Sequence, residues 1–173
     1  MLEEILPGVI QAPNLHPMFV HFPIALWAVA GLFIFLGTLR RRDDLFATGR
    51  WLLYLGAIGA AAAVATGLWA ADALGHDSPG HELVHVHRDL MLATSGLGLI
   101  ATLGAAALRD RRHVAAKWVV TALTLATIGV LTLGADRGAA LVFHHGVGVA
   151  AQTEPVADDA PANEHGASHD HAH

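Results

Sequence analysis

Apolar and polar stretches alternate four times along the chain. The first uncharged run extends from Ile5 to Leu39, the second from Trp51 to Ala71, the third from Leu90 to Leu108 and the fourth from Trp118 to Ala135. None of them contains Asp, Glu, Lys or Arg. A helix needs about 20 predominantly apolar residues to cross about 30 Å of hydrocarbon. Backbone groups in lipid must be paired within their own segment, so the runs predict helices rather than strands. Pro17 suits a first helical turn. The pattern predicts an all-α fold, a four-transmembrane-helix bundle, with spans over residues 17–39, 51–71, 88–108 and 117–135. The last two are short and should tilt little. Residues 1–150 then form one membrane domain. Residues 151–173, rich in Ala, Asp, Glu, His and Pro, predict a disordered His-rich tail that cannot bury enough surface to fold alone.

Composition agrees with a bilayer as solvent: 54% of residues are hydrophobic and 14% charged, against about 25% charged in soluble domains. The connections carry the orientation signal. Arg40, Arg41, Arg42 and Arg50 lie in the first, and Arg109, Arg111, Arg112 and Lys117 in the third. The positive-inside rule places these two connections in the cytoplasm. Both termini and the connection 73–89 then face outside, which is the periplasm if the membrane is the inner membrane of a Gram-negative source. The start, Met1-Leu-Glu-Glu, lacks the basic residues of a cleavable signal, so the first span is expected to stay as an anchor. A net charge of −5 argues against nucleic acid. With no cysteine, disulfides and thiolate ligation are excluded within the chain. Small residues recur on the spans at Gly56, Gly59, Ala63 and Gly67, at Gly96 and Gly98, and at Gly129 and Gly134, the pattern of closely packed membrane helices.

The chemistry-bearing residues are the 13 histidines. All but His113, which sits in the basic third connection, fall on the predicted outer side. His16 and His21 flank the start of the first span, about 140° apart on a helix. The reading places His21 one turn inside the membrane and pointing into the bundle, because polar side chains at depth avoid lipid. His81, His85 and His87 precede the third span. His81 and His85 share a face at i, i+4, and His87 lies about 200° from His85, so one of the latter two faces inward. His144 and His145, just after the fourth span, point apart. His76 and His81 read as solvated. His165, His169, His171 and His173 at the C-terminus have the composition of a loose trap for Zn or Cu. Imidazole is the commonest metal ligand and a common axial haem ligand.

The motifs LHPMFVHFPIAL, ATGLWAAD, HRDLMLAT and ALVFHHGVGVA occur in that order. Together they make the chain resemble, over about residues 12–151, a domain-of-unknown-function family of small bacterial four-helix membrane proteins. Members are sometimes fused to Rieske iron–sulfur or cytochrome c domains. The resemblance implies a redox association and singles out His16, Pro17, His21 and Pro23, then His87, then His145, Gly146 and Gly148; it is the reason to prefer His87 over His85 as the inward residue. The family often carries Asp late in the first span, where this chain has GLFIFLGT.

Three functions remain open at this level. The first is a membrane redox protein holding a b-type haem near its outer face for electron transfer. His21 with His87 would be the axial pair, His16 or His145 the substitutes, and a quinone or a periplasmic cytochrome or Rieske protein the partner. The second is an outer-face Zn or Cu protein using His16, His21, His85, His87, His144 and His145, with Glu82 or Asp77 as further ligands and the tail gathering ions. The third is a cofactor-free structural or assembly subunit, with homo-oligomers allowed. No mid-membrane ionisable group supports transport. No nucleophile with its base supports an enzyme. A His cluster on one side only confines any redox site to the outer half.

Overall fold

The computed structural model describes residues 5–10, 12, 14–74, 80–109 and 113–149. The tail, with His165, His169, His171 and His173, and the loop residues His76 and Asp77 lie outside the described residues. A single helical turn at Pro7–Ile10 precedes four long helices: α1 (His16–Leu39), α2 (Asp43–Asp72), α3 (His81–Ala107) and α4 (Val114–His145). All four are long and apolar enough to cross a membrane.

The helices begin and end where local chemistry dictates. At the start of α1 the Asn14 side chain accepts the His16 backbone N–H at 3.2 Å, and Pro17 occupies the first turn. Pro23, inside α1, is buried against α2, where Gly59 leaves room for its ring; membrane helices tolerate such interruptions when neighbours cover them. The α1–α2 turn is made by Arg41 in the left-handed region, at φ 53, which lets the Arg42 N–H reach Gly37 O at 2.8 Å. Asp43 and Asp44 then open α2, where the helix dipole favours negative charge. Gly80 (φ 81) precedes α3, and Gly146 (φ 64) ends α4, turning the Val147 N–H back to Leu141 O at 3.0 Å.

Three helices are longer than their apolar runs. Relative to the expected spans, α2 starts eight residues before Trp51, α3 starts at His81 instead of 88, and α4 continues ten residues beyond Ala135. The apolar run marks what lipid covers; the helix propagates through polar residues until a turn residue stops it. At 1.5 Å per residue α4 is about 48 Å long, and His144 and His145, beyond the apolar run, form its last turn.

The helices run up and down. The hairpins α1/α2 and α3/α4 each pack extensively, and α2 against α3 with α1 against α4 closes the bundle. Its core is Trp27, Ile34, Phe46 and Leu53, each at most 2% exposed. The Trp27 indole fits between Gly56 and Gly98 so closely that a Cβ on either would overlap it, and its Nε1–H points to Leu53 O at 3.4 Å. Gly96 and Gly129, by contrast, face open space and take no part in packing. Buried threonines return their hydroxyls to the helix, as with Thr102 to Gly98 O at 2.7 Å and Thr124 to Val120 O at 2.8 Å. Among the described residues no buried side-chain polar atom lacks a partner. The outward faces are apolar: Ile58, Trp69 and Phe143 are 70%, 71% and 84% exposed, the surface that lipid covers.

Candidate functional site: two histidines between the hairpins

The face of α1 that turns into the bundle is set by Pro23, Trp27, Ala30 and Ile34. His16 lies seven residues before Pro23, nearly two full turns, and shares that face. His21 is about 140° away and is exposed. The expected geometry between the two holds, but the inward position belongs to His16, because the bulky core residues fix the rotation of the helix.

His16 Nδ1 lies 3.0 Å from Ala63 O on α2 and 3.4 Å from the Thr66 hydroxyl. On the other hairpin, His87 Nδ1 lies 2.8 Å from Gly134 O on α4. Each ring rests against the glycine one turn further along the helix that holds it. A Cβ on Gly67 would come within 2.8 Å of His16 Cε1, and one on Gly138 within 2.9 Å of His87 Cε1. The absence of a side chain at these points is what exposes the helix carbonyl four residues earlier. That oxygen has two lone pairs, one for its helical N–H and one for the imidazole. The two rings meet edge to face across the bundle, with centroids 6.4 Å apart and planes at 78°.

This arrangement fixes the chemistry of both rings. A carbonyl oxygen only accepts, so each Nδ1 carries a hydrogen and donates it. In the neutral ring Nε2 is then left with its lone pair, the disposition common to metal-bound histidines, whose second nitrogen donates to a carbonyl or carboxylate. With a nitrogen-to-metal bond of about 2 Å, two imidazoles on opposite sides of one ion have ring centroids about 6 Å apart. Two half-buried rings 6.4 Å apart fit that spacing.

The other candidates stand apart from this pair. His87 faces inward and His85 outward, as the resemblance implied. His85 Nε2 lies 3.0 Å from His81 Nε2 on the exposed face of α3. His144 is exposed; His145 is exposed too, its ring against the Gly80 backbone. Among the described residues no group of three or more His, Asp, Glu or Cys is arranged to hold a metal ion. The site therefore offers a pair of donors, which suits a centre that brings its own remaining ligands. Sequence reading had Ala63, Gly67 and Gly134 only as packing residues, and missed Thr66 and Gly138. The signal that finds them is the equal spacing of 47 residues from each histidine to its carbonyl.

No curated protein and no solved structure matches the chain. Residues 12–151 match the model of a family described as a predicted membrane protein, DUF2231, and with that match over most of its length the chain belongs to this family of membrane proteins.

Proposed function

We propose that the protein is a membrane redox carrier in which His16 and His87 hold a b-type haem between the two hairpins. The observation that carries the reading is the inward pair itself: two imidazoles on different helices, each anchored through Nδ1, each with Nε2 free, at a centroid spacing of 6.4 Å. A haem brings four equatorial nitrogens and needs two more donors, whereas a structural zinc site needs four ligands, and catalytic sites three from the protein. When bound, such a group supplies one-electron oxidation and reduction, at a potential tuned by axial ligands and burial.

The chain's own part is to hold and to shield. The Ala63 and Gly134 carbonyls keep both rings in one tautomer, and Trp27, deeper in the core, seals the bundle below them. Two protein donors leave no open position for a substrate, which favours electron transfer over catalysis. The arginine-bearing turns, by the positive-inside rule, favour a reading with the pair near the periplasmic face of an inner membrane, where a quinone or a periplasmic cytochrome or Rieske protein would be the partner.

The test is a reduced-minus-oxidised visible spectrum of the detergent-purified chain, with metal analysis on the same sample. A Soret band that disappears in His16→Ala and in His87→Ala supports the reading. A colourless protein after expression with ample haem ends it. A reporter after His173 that reads as cytoplasmic overturns the sidedness.

A further inference from the structure

The two halves of the bundle superimpose in sequence number. His87 lies 71 residues after His16, Gly134 71 after Ala63, and Gly138 71 after Gly67. The same shift carries five of the seven buried residues of α1 onto the five of α3: Pro23 onto Thr94, Trp27 onto Gly98, Ala30 onto Ala101, Gly31 onto Thr102 and Ile34 onto Ala105. It carries the buried Leu53, Ala60 and Ala63 of α2 onto the buried Thr124, Leu131 and Gly134 of α4. No insertion or deletion is needed over this length. Helix packing repeats as well, since α1 on α2 corresponds to α3 on α4, and α2 on α3 to α4 on α1.

A shift that exchanges α1 with α3 and α2 with α4 is a local two-fold rotation about the long axis of the bundle. Residues near that axis should meet their own counterparts, and they do. His16 meets His87. Eleven residues deeper, about 16 Å along the helix, Trp27 lies on its counterpart Gly98. Two side chains cannot both fill one point on an axis, so the large residue of one half is matched by the small residue of the other. The histidine layer is the exception, with equal residues from both halves facing each other.

We propose that the chain is a tandem of two equivalent helical hairpins, and that Gly67 and Gly138, with the carbonyls of Ala63 and Gly134, are matched positioning groups presenting His16 and His87 as equivalent donors to one centre on the local two-fold axis. This deepens the haem reading and rests on it for the identity of the centre. It also narrows the ligand class. The seat takes a single atom with two opposed vacant positions, bound equally from both sides. A quinone head group, hydrogen-bonded to one ring, does not fit an arrangement in which both rings sit on matched helix carbonyls, although His16 alone has a second neighbour in Thr66.

Equivalence is tested first without ligand, by 15N NMR of the [15N]-histidine-labelled full chain in detergent, above the pH range in which imidazole is protonated. Signals are assigned with His16→Gln and His87→Gln. Both rings are expected in the Nδ1–H form; opposite tautomers overturn the proposal, whether or not the protein takes up haem. The second test is haem retention in Gly67→Ala and Gly138→Ala, with Gly129→Ala as control because a Cβ there meets nothing within 4 Å. Each of the two is expected to weaken retention about 10- to 100-fold, as loss of an outer-shell partner does, and the control to match the unaltered chain. If one variant loses haem while the other retains it fully, the equivalence fails although the haem reading stands. If the unaltered chain binds none, the haem reading fails and the tautomers still decide the equivalence. Circular dichroism identifies a variant that fails to fold; Gly→Ser at the same position then replaces it, and the tautomers decide if that also fails.

Discussion

At the end of the bundle where α1 passes to α2, charged side chains answer one another. Lys117 Nζ lies 2.6 Å from Asp43 and 4.9 Å over the Phe46 ring, Arg42 pairs with Asp44 at 2.6 Å, and the Thr38 and Thr121 hydroxyls meet at 2.9 Å. At the opposite end, the inward polar groups are two imidazoles that reach past glycines to main-chain carbonyls. The two ends solve the same problem, polar groups beside lipid, with different consequences. Side-chain pairs use up the donors and acceptors that face each other. An imidazole anchored on a carbonyl through one nitrogen keeps a lone pair on the other. Among these inward groups, the histidine pair is the one that keeps donors to spare for a bound centre.

The strongest way to break the comparison is at the spare donors. Replacing either His16 or His87 with Ala should abolish the haem spectrum, whereas His21→Ala and His85→Ala should leave it intact, because both of those rings are exposed. Retention of a full Soret band in His87→Ala would make the two ends alike. Next is the plug that separates them. Trp27→Ala empties the slot between Gly56 and Gly98 and should lower stability by about 3–5 kcal/mol, read as earlier thermal unfolding in detergent. At the arginine end, Lys117→Met should cost no more than about 1 kcal/mol, with part of that loss removed by added salt. A larger, salt-insensitive loss would show this end to depend on its ion pair. The smallest effect is at the turn. Arg41 holds a left-handed backbone conformation (φ 53) that is unfavourable for a residue with a Cβ, so Arg41→Gly should raise stability by about 1 kcal/mol.

Much of this was legible in the chain. Four uncharged runs gave four helices, and HRDLMLAT supplied the inward His87. The choice between His16 and His21 was not legible from their spacing alone. A separation of 140° says that only one of them turns inward, but not which; the bulk of Pro23, Trp27 and Ile34 decides the rotation. Helix ends were not legible from the apolar runs for a related reason. Hydropathy reports the lipid boundary, whereas Gly80, Gly146 and the Arg41 turn set where the backbone stops being helical.

What the sequence determined by itself is a membrane protein of four spans with its imidazoles, His113 excepted, flanking the spans away from the basic connections, because transfer energies depend on composition and run length alone. What only the tertiary structure decided is that His16 and His87 meet, that Ala63 and Gly134 hold them, and that the two hairpins are counterparts. Those facts depend on which helix faces which and on the rotation of each. Both are set by side-chain packing between residues that lie 47 or 71 positions apart.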